Sequence, residues 1–197
     1  IPLNKDSIKF TGPIQFNMGR SLNKINIKHI KGTGAFASSE GKDNKTFREE
    51  YILPYSVIAF HGLINENTAR YTKLSDDDIE LLDESTWNGT KNLITRSKMG
   101  HMPRIYIRVV YKDNLNYFIG DLQRKVSLST DMPDEKLRNI DDYKLNIDKL
   151  IDSLIKNKEK IEKVIFIKDD EFKLLYKSKE INLVSDIKDI KFENKGI

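Results

Sequence analysis

The sequence predicts a mixed α+β fold built around an antiparallel sheet, and three observations carry that expectation. Hydrophobic residues make up 38% of the 197 positions, enough to bury a real core in one domain or one domain with an appendage. Short apolar stretches alternate with period two between Gly, Pro and Asn punctuation, the mark of strands. Two longer stretches instead repeat their apolar residues at helical spacing, and no internal repeat or low-complexity tract interrupts the series.

Ile8 to Met18 is strand material broken by Gly12-Pro13, and Ile25, Ile27 and Ile30 follow with period-two spacing in their first part. Lys31 to Arg48 holds three Gly, two Ser and two Thr among few large apolar groups, and is expected as an exposed loop or a hairpin tip. Tyr51 to Phe60 is a strongly apolar strand candidate whose Pro54 requires an edge position or a bulge. Ser75-Asp76-Asp77-Asp78 has the Ser-x-x-acid pattern of a helix start, with acids massed where the helix dipole favours them. That helix is expected to run through Trp87, with Ile79, Leu82 and Trp87 on one face. Arg104 to Tyr111 alternates basic and apolar residues, and Lys112-Asp113-Asn114 separates it from Leu115 to Ile119, so the pattern predicts a hairpin between the two. Tyr143 to Ile161 carries Leu145, Ile147, Leu150, Ile151, Leu154 and Ile155 at helical spacing, and Val164–Ile167 and Phe172–Tyr176 alternate as short strands.

The formal net charge is only +4, from 34 basic and 30 acidic side chains, so its distribution carries the information. Residues 91–112 hold six Lys and Arg and no acid; residues 17–48 hold seven bases against two acids, and residues 66–84 seven acids against two bases. A solvated face mixes signs, so an acid-free window with interleaved Met, Tyr and Ile suits a surface that meets a polyanion such as a phosphate backbone. An edge strand guarded by Arg and Lys gives the same composition. The loop from Ile94 to Gly100 favours the phosphate reading, because it sets Ser97 between Arg96 and Lys98 beside a glycine that permits close backbone approach. Met99 and Met102 fit either packing on bases or filling the local core, the second being the commoner use.

Other chemistries find little support. The chain has no Cys, which excludes disulfides, iron–sulfur clusters and thiolate zinc and fits a reducing compartment. His29, His61 and His101 show neither metal-ligand nor acid–base spacing, so neither a metal site nor catalysis is expected. Gly32, Gly34 and Gly41 do not make a phosphate loop. An extended arm lying on a polymer, with Phe36 or Phe47 as a stacking group, and a merely tolerated surface loop both fit the Gly-rich stretch. No apolar run approaches membrane-spanning length, and no segment has the layout of a signal peptide, so a cytoplasmic protein with no membrane contact is expected.

Three stretches carry a resemblance. They are residues 10–22 (FTGPIQFNMGRSL), residues 58–67 (IAFHGLINEN), and residues 81–84 (LLDE) continued by 87–100 (WNGTKNLITRSKMG). Their order and spacing across residues 8–125 resemble the Cas-seven backbone subunits of CRISPR Cascade complexes, and among them the type I-B branch, the Csh-two family. Residues 130–197 resemble it only loosely.

The resemblance implies one RRM-like (ferredoxin-like) palm domain over residues 1–197, with an antiparallel sheet, an inserted thumb hairpin or loop at 22–50 and a helix-rich region at 63–95. Family members begin with a further segment that supplies an early palm strand and helix, so it also implies a palm incomplete in this chain or completed by another polypeptide. The implied function is non-catalytic: a helical filament of neighbouring copies along CRISPR guide RNA, which presents the guide for pairing with target DNA in antiviral defence. The implied partners are the other Cascade subunits, Cas-five, Cas-eight and the small subunits, and no cofactor is implied. By position, Asn17, Arg20 and Ser21 lie where palm meets thumb, with Lys24, Lys31, Phe36, Lys42 and Lys45 in the thumb. Arg96, Ser97, Lys98 and Met99 form a loop against the guide, joined by Arg104 as a further RNA contact. The alternative is a relative of the type III backbone subunits, which cut target RNA with a loop aspartate belonging to that earlier segment.

Overall fold

Ile161 to Lys168 spells IEKVIFIK, too apolar for a strand with one wet face, and it becomes the buried centre of the molecule. The computed structural model describes residues 11–33 and 47–196. Its elements run β1 (Ile14–Phe16), β2 (Arg20–Ser21), β3 (Lys28–Thr33), β4 (Phe47–Ile52), β5 (Ile58–Ala59), β6 (Gly62–Ile64), α1 (Glu66–Thr72), α2 (Asp76–Lys91), β7 (Ile105–Tyr111), β8 (Ser127–Ser129), β9 (Lys144–Asn146), α3 (Asp148–Lys156), β10 (Ile161–Lys168), β11 (Leu174–Tyr176), β12 (Lys179–Glu180), α4 (Leu183–Asp186) and β13 (Phe192–Asn194). This is the mixed α+β architecture that the patterning predicts, and none of the described helices is long and apolar enough to cross a membrane.

The central sheet has the order β13-β10-β7, and a four-stranded sheet has the order β12-β11-β9-β8. Most pairings are antiparallel; β10 with β13 and β9 with β11 are parallel. One face of the central sheet, with Val164, Phe166 and Phe192, shares a continuous core with Leu150, Ile151 and Leu154 of α3, Leu145 of β9, Leu174 of β11 and Leu183 of α4. Ile105, Ile107, Val109 and Tyr111 of β7 pack against the same core. The alternate residues look the other way: Arg108 is paired with Ile165 and Tyr106 with Ile167, and both Tyr106 and Arg108 reach into α2.

α2 begins where the sequence expects. The Ser75 side chain accepts from the Asp78 backbone N–H, and Asp78 in turn accepts from Ser75, a reciprocal cap. The inward stripe of Ile79, Leu82 and Trp87 also contains Asp83, whose exposure is 0%. Tyr106 Oη donates to Asp83 at 2.7 Å, Arg108 donates through Nε at 2.9 Å and Nη2 at 2.7 Å, and Lys195 Nζ stands 3.5 Å away. Burial, reinforced by the bond to Asp83, holds the Tyr106 hydroxyl well above its ordinary titration range. Burial alone would lower the Lys195 ammonium, but its bonds to Glu80 and Asp83 leave it raised.

Several local expectations are corrected. Leu115–Ile119 is not the partner of β7, which instead runs antiparallel to β10 from Ile105↔Lys168 to Tyr111↔Ile161. Asn114 and Asn116 adopt φ of 61° and 40°, left-handed backbone that breaks an extended run. The segment folds back through side chains instead: Ile119 is buried and donates its N–H to Tyr111 Oη at 2.8 Å, and Tyr117 meets Tyr111 edge-on. Tyr51–Phe60 is not one strand; it divides into β4 and β5 around Pro54, which cannot donate to a ladder. Ile25 and Ile27 precede β3 as exposed, non-strand residues. Leu145 belongs to β9, so the helix expected from Tyr143 starts only at Asp148.

Candidate nucleic-acid interface

Residues 13–22 and 57–65 form one antiparallel ribbon, β1 against β6 and β2 against β5. Between and beyond the strands it continues through Asn65 N–H to Pro13 O (2.8 Å), Asn17 N–H to His61 O (2.9 Å) and Leu22 N–H to Val57 O (2.8 Å). Phe16 faces Gly62 and Arg20 faces Ala59, so the first strand spends one residue more than the second over the same distance. The excess is accommodated around Met18, which is 94% exposed. Phe16 lies across Gly62 and Phe60 across Gly19: a Cβ at either glycine would stand 2.6 Å from a ring carbon. Only glycine therefore lets these rings settle on the opposite strand. Both stay half open, at 52% and 63% exposure.

At the end of the ribbon a buried amide fixes the departure of the next hairpin. Asn23 Oδ1 accepts from Val57 N–H at 2.9 Å, Ser21 Oγ donates to Asn23 O at 2.6 Å, and Ser56 Oγ donates to Ser21 Oγ at 2.8 Å. The Ser21 hydroxyl is thus engaged in the scaffold. Lys24 ties the same corner to the C-terminal half: its N–H donates to Asp134 at 3.0 Å, and its ammonium meets Glu135 at 2.6 Å. The hydrogen bond of that pair raises the Lys24 pKa and lowers that of Glu135.

β3 and β4 then pair from Lys28↔Ile52 to Thr33↔Phe47, a hairpin where the sequence allows a loop or a hairpin tip. His29 stacks on Tyr51 at 4.5 Å, and Lys31 meets Glu49 at 3.3 Å. Glu50 is shared: Arg48 of the same strand pairs with it, and Arg96 Nη2 stands 2.9 Å from both of its oxygens. Arg96 belongs to the turn after α2, which is closed by Met99 N–H to Thr95 O (2.8 Å) and His101 N–H to Lys98 O (3.0 Å) around Gly100 at φ +92°. Glu50, just beyond the first basic stretch, therefore links Arg48 of residues 17–48 to Arg96 of residues 91–112 through two ion pairs. Met99, at 77% exposure, and Met102 are both open to solvent, so neither fills a local core.

The 91–112 window is acid-free only along the chain. In space Arg96 receives Glu50, Arg104 pairs with Asp169, and Arg108 binds Asp83 with Glu80 at 3.5 Å. Half of its cations are thereby matched by acids from elsewhere. Among the described residues Arg20, Lys28, Lys91 and Lys98 make no ion pair. Asn17, Arg20, Lys24, Lys31, Arg96, Ser97, Lys98 and Met99 are exposed, whereas Ser21 and Arg104 are half-buried. Phe36, Lys42 and Lys45 lie outside the described residues. Sequence reasoning missed Glu50, Asp83 and Asp169, which no local pattern links to their partners. It also missed Phe16 and Phe60, for which the Phe and Gly repeated in FNMG and FHG was a readable signal.

Comparison with known proteins assigns the chain. Residues 2–148 match the family described as CRISPR-associated protein Cas7. A protein of Haloferax volcanii named CRISPR-associated protein Cas7 is 32% identical over 169 residues, covering 84% of this chain and 49% of that relative. The chain thus spans about half the length of the relative it matches. On both counts this chain belongs to the Cas7 family of CRISPR-associated proteins.

Proposed function

We propose that this chain acts as the RNA-binding backbone subunit of a type I-B Cascade surveillance complex. In this reading copies of the chain assemble as a helical filament along guide RNA, together with Cas5, Cas8 and small subunits, and present the guide to target DNA. The subunit binds and does not cut. The fold reading that accompanies it is an RRM-like palm, a single domain, with the β3–β4 hairpin as its thumb and α1–α2 as its helix-rich region. The contacts fall on Asn17, Arg20, Ser21, Lys24, Lys31, Arg96, Ser97, Lys98, Met99 and Arg104, with Phe36, Lys42 and Lys45 from the Gly-rich stretch of the sequence. Sequence specificity comes from the guide's own pairing.

The observation that carries the reading is the Arg96–Glu50 joint, which sets the turn of Arg96, Ser97 and Lys98 against the hairpin of Lys28 and Lys31. Two basic segments far apart in sequence become neighbours, and an exposed ion pair of this kind exchanges readily for phosphate. Titrating the chain with single-stranded RNA across a salt series tests it. Affinity is expected to fall steeply with salt, and the double variant Arg96→Ala, Lys98→Ala is expected to lower the logarithmic slope by about 0.7 for each phosphate that the variant no longer neutralises. A folded double variant with unchanged affinity and slope removes this turn from the interface.

A further inference from the structure

We infer that Arg48 and Arg96 form a two-guanidinium clamp for one phosphate of bound nucleic acid, and that Glu50 fills this clamp in the free chain as a built-in competitor. The inference rests on the RNA-binding reading and adds two residues that reading does not use, Arg48 as a contact and Glu50 as a gate.

Three observations carry it. Glu50 is held from two elements at once: Arg48 pairs with it along β4, and Arg96 Nη2 reaches both of its oxygens at 2.9 Å from the turn after α2. Guanidinium groups hold carboxylates and phosphates by the same pairing of N–H donors with oxygens, so a point where two of them converge on one carboxylate is also a place for a phosphate. The carboxylate is the most covered of the three, its side chain 32% exposed against 54% for Arg48 and 71% for Arg96. The cations therefore lie on the outside of the cluster, and their remaining N–H groups are open to an incoming anion.

The register of the hairpin supplies the third observation. Residues directly opposite share a face, so Lys28, Ile30 and Gly32 of β3 lie on the same face as Ile52, Glu50 and Arg48 of β4. Glu50 is the one carboxylate among these six, because Glu49 falls on the other face with His29 and Lys31, its own partners. A Cβ at Gly32, opposite Arg48, would meet nothing within 4 Å, so the surface beside that guanidinium is clear. Once Glu50 turns aside, Lys28, Arg48 and Arg96 are left with no acid between them. Glu50 thereby decides what can bind. A free anion competes poorly with a side chain already in place, whereas a polymer held at its other phosphates delivers the next one at high local concentration.

The test measures affinity for a single-stranded uridine oligomer across a salt series, in the natural chain and in Glu50→Gln, which keeps the side-chain shape and removes its charge. Affinity is expected to rise by about 2- to 30-fold at low salt, the range set by two released exposed ion pairs. The logarithmic slope is expected to steepen by about 0.7 for each phosphate newly neutralised. Asp77→Asn removes the same charge from the far end of α2 and is expected to leave affinity unchanged. An equal rise in that variant makes the gain a general effect of net charge and overturns the clamp. With Arg48→Ala in the same chain the gain is expected to shrink; a gain of full size there removes Arg48 and overturns the clamp as well. Weaker binding by a folded Glu50→Gln makes Glu50 a brace for the arginines instead of a competitor, and also overturns the proposal. In each of these cases steep, salt-dependent binding by the natural chain leaves the RNA reading standing. Binding by neither the natural chain nor Glu50→Gln overturns the RNA reading and the clamp together.

Discussion

Asp83 is a buried charge that the interior tolerates only because it is surrounded by donors. Tyr106, Arg108 and Lys195 converge on it from β7 and from the segment after β13, and its two oxygens are occupied from different directions. Replacing Asp83 with Ala leaves the mostly buried Arg108 guanidinium with only the longer contact to Glu80 at 3.5 Å, and is expected to cost up to about 3–5 kcal/mol. Urea denaturation measures this directly; a loss within the range of an ordinary surface substitution would show that the network carries no weight. Nothing in the local pattern announces this role, since Asp83 counts as one more acid in the acidic stretch 66–84 and Arg108 as one more cation in a basic window. Local composition reports which charges are near in the chain, and only folding decides which ones neutralise each other.

Among the elements, α2 was legible almost to its ends, because a capping box and a helical stripe are local physics. Ser75→Ala removes the cap and is expected to cost about 1 kcal/mol, read from thermal or chemical denaturation. The same cap sets a pH dependence. Bonds from the Ser75 backbone and hydroxyl hold the Asp78 carboxyl below its ordinary value. Its contribution is therefore complete above the unfolded carboxylate pKa of about 4 and is lost as pH falls through the lower folded value. Amide exchange at the first turn of α2 is expected to quicken in that acid window in the natural chain and to show a smaller dependence in Ser75→Ala, which keeps the backbone donor but loses the hydroxyl. The β3–β4 pairing was only partly readable: the Gly-rich stretch allowed a loop as well as a hairpin, and the strands on either side of it were expected elsewhere. The pairing of β7 was not readable: its true partner β10 lies about fifty residues further on, and the nearer apolar segment, Leu115–Ile119, has the pattern of a hairpin mate.

At the scale of the molecule, the family resemblance and the packed core occupy different halves. The stretches that carry the family resemblance fall within residues 10–100, while the continuous core is drawn from residues 119–192 together with β7 and a few residues before it. The ribbon and hairpin are fastened to that core by few links, chiefly Lys24 to Asp134 and Glu135 and the Tyr55–Tyr143 hydroxyl pair at 3.0 Å. Native-state hydrogen exchange is accordingly expected to show β10 and α3 as the slowest amides and the ribbon and hairpin as the fastest. Uniform protection across the chain would contradict this division of labour.

The two faces of the central sheet also differ in how they are held, apolar contact toward α3 and a buried carboxylate toward α2. Apolar attraction weakens on cooling, whereas the desolvation that opposes a buried ion pair becomes less costly on warming. Temperature therefore acts on the two faces by separate routes. Warming lowers the desolvation cost of the ionic docking of α2 while the gain from apolar burial levels off, so the helix that ends at the Arg96 turn is expected to loosen less on warming than apolar contact alone would allow.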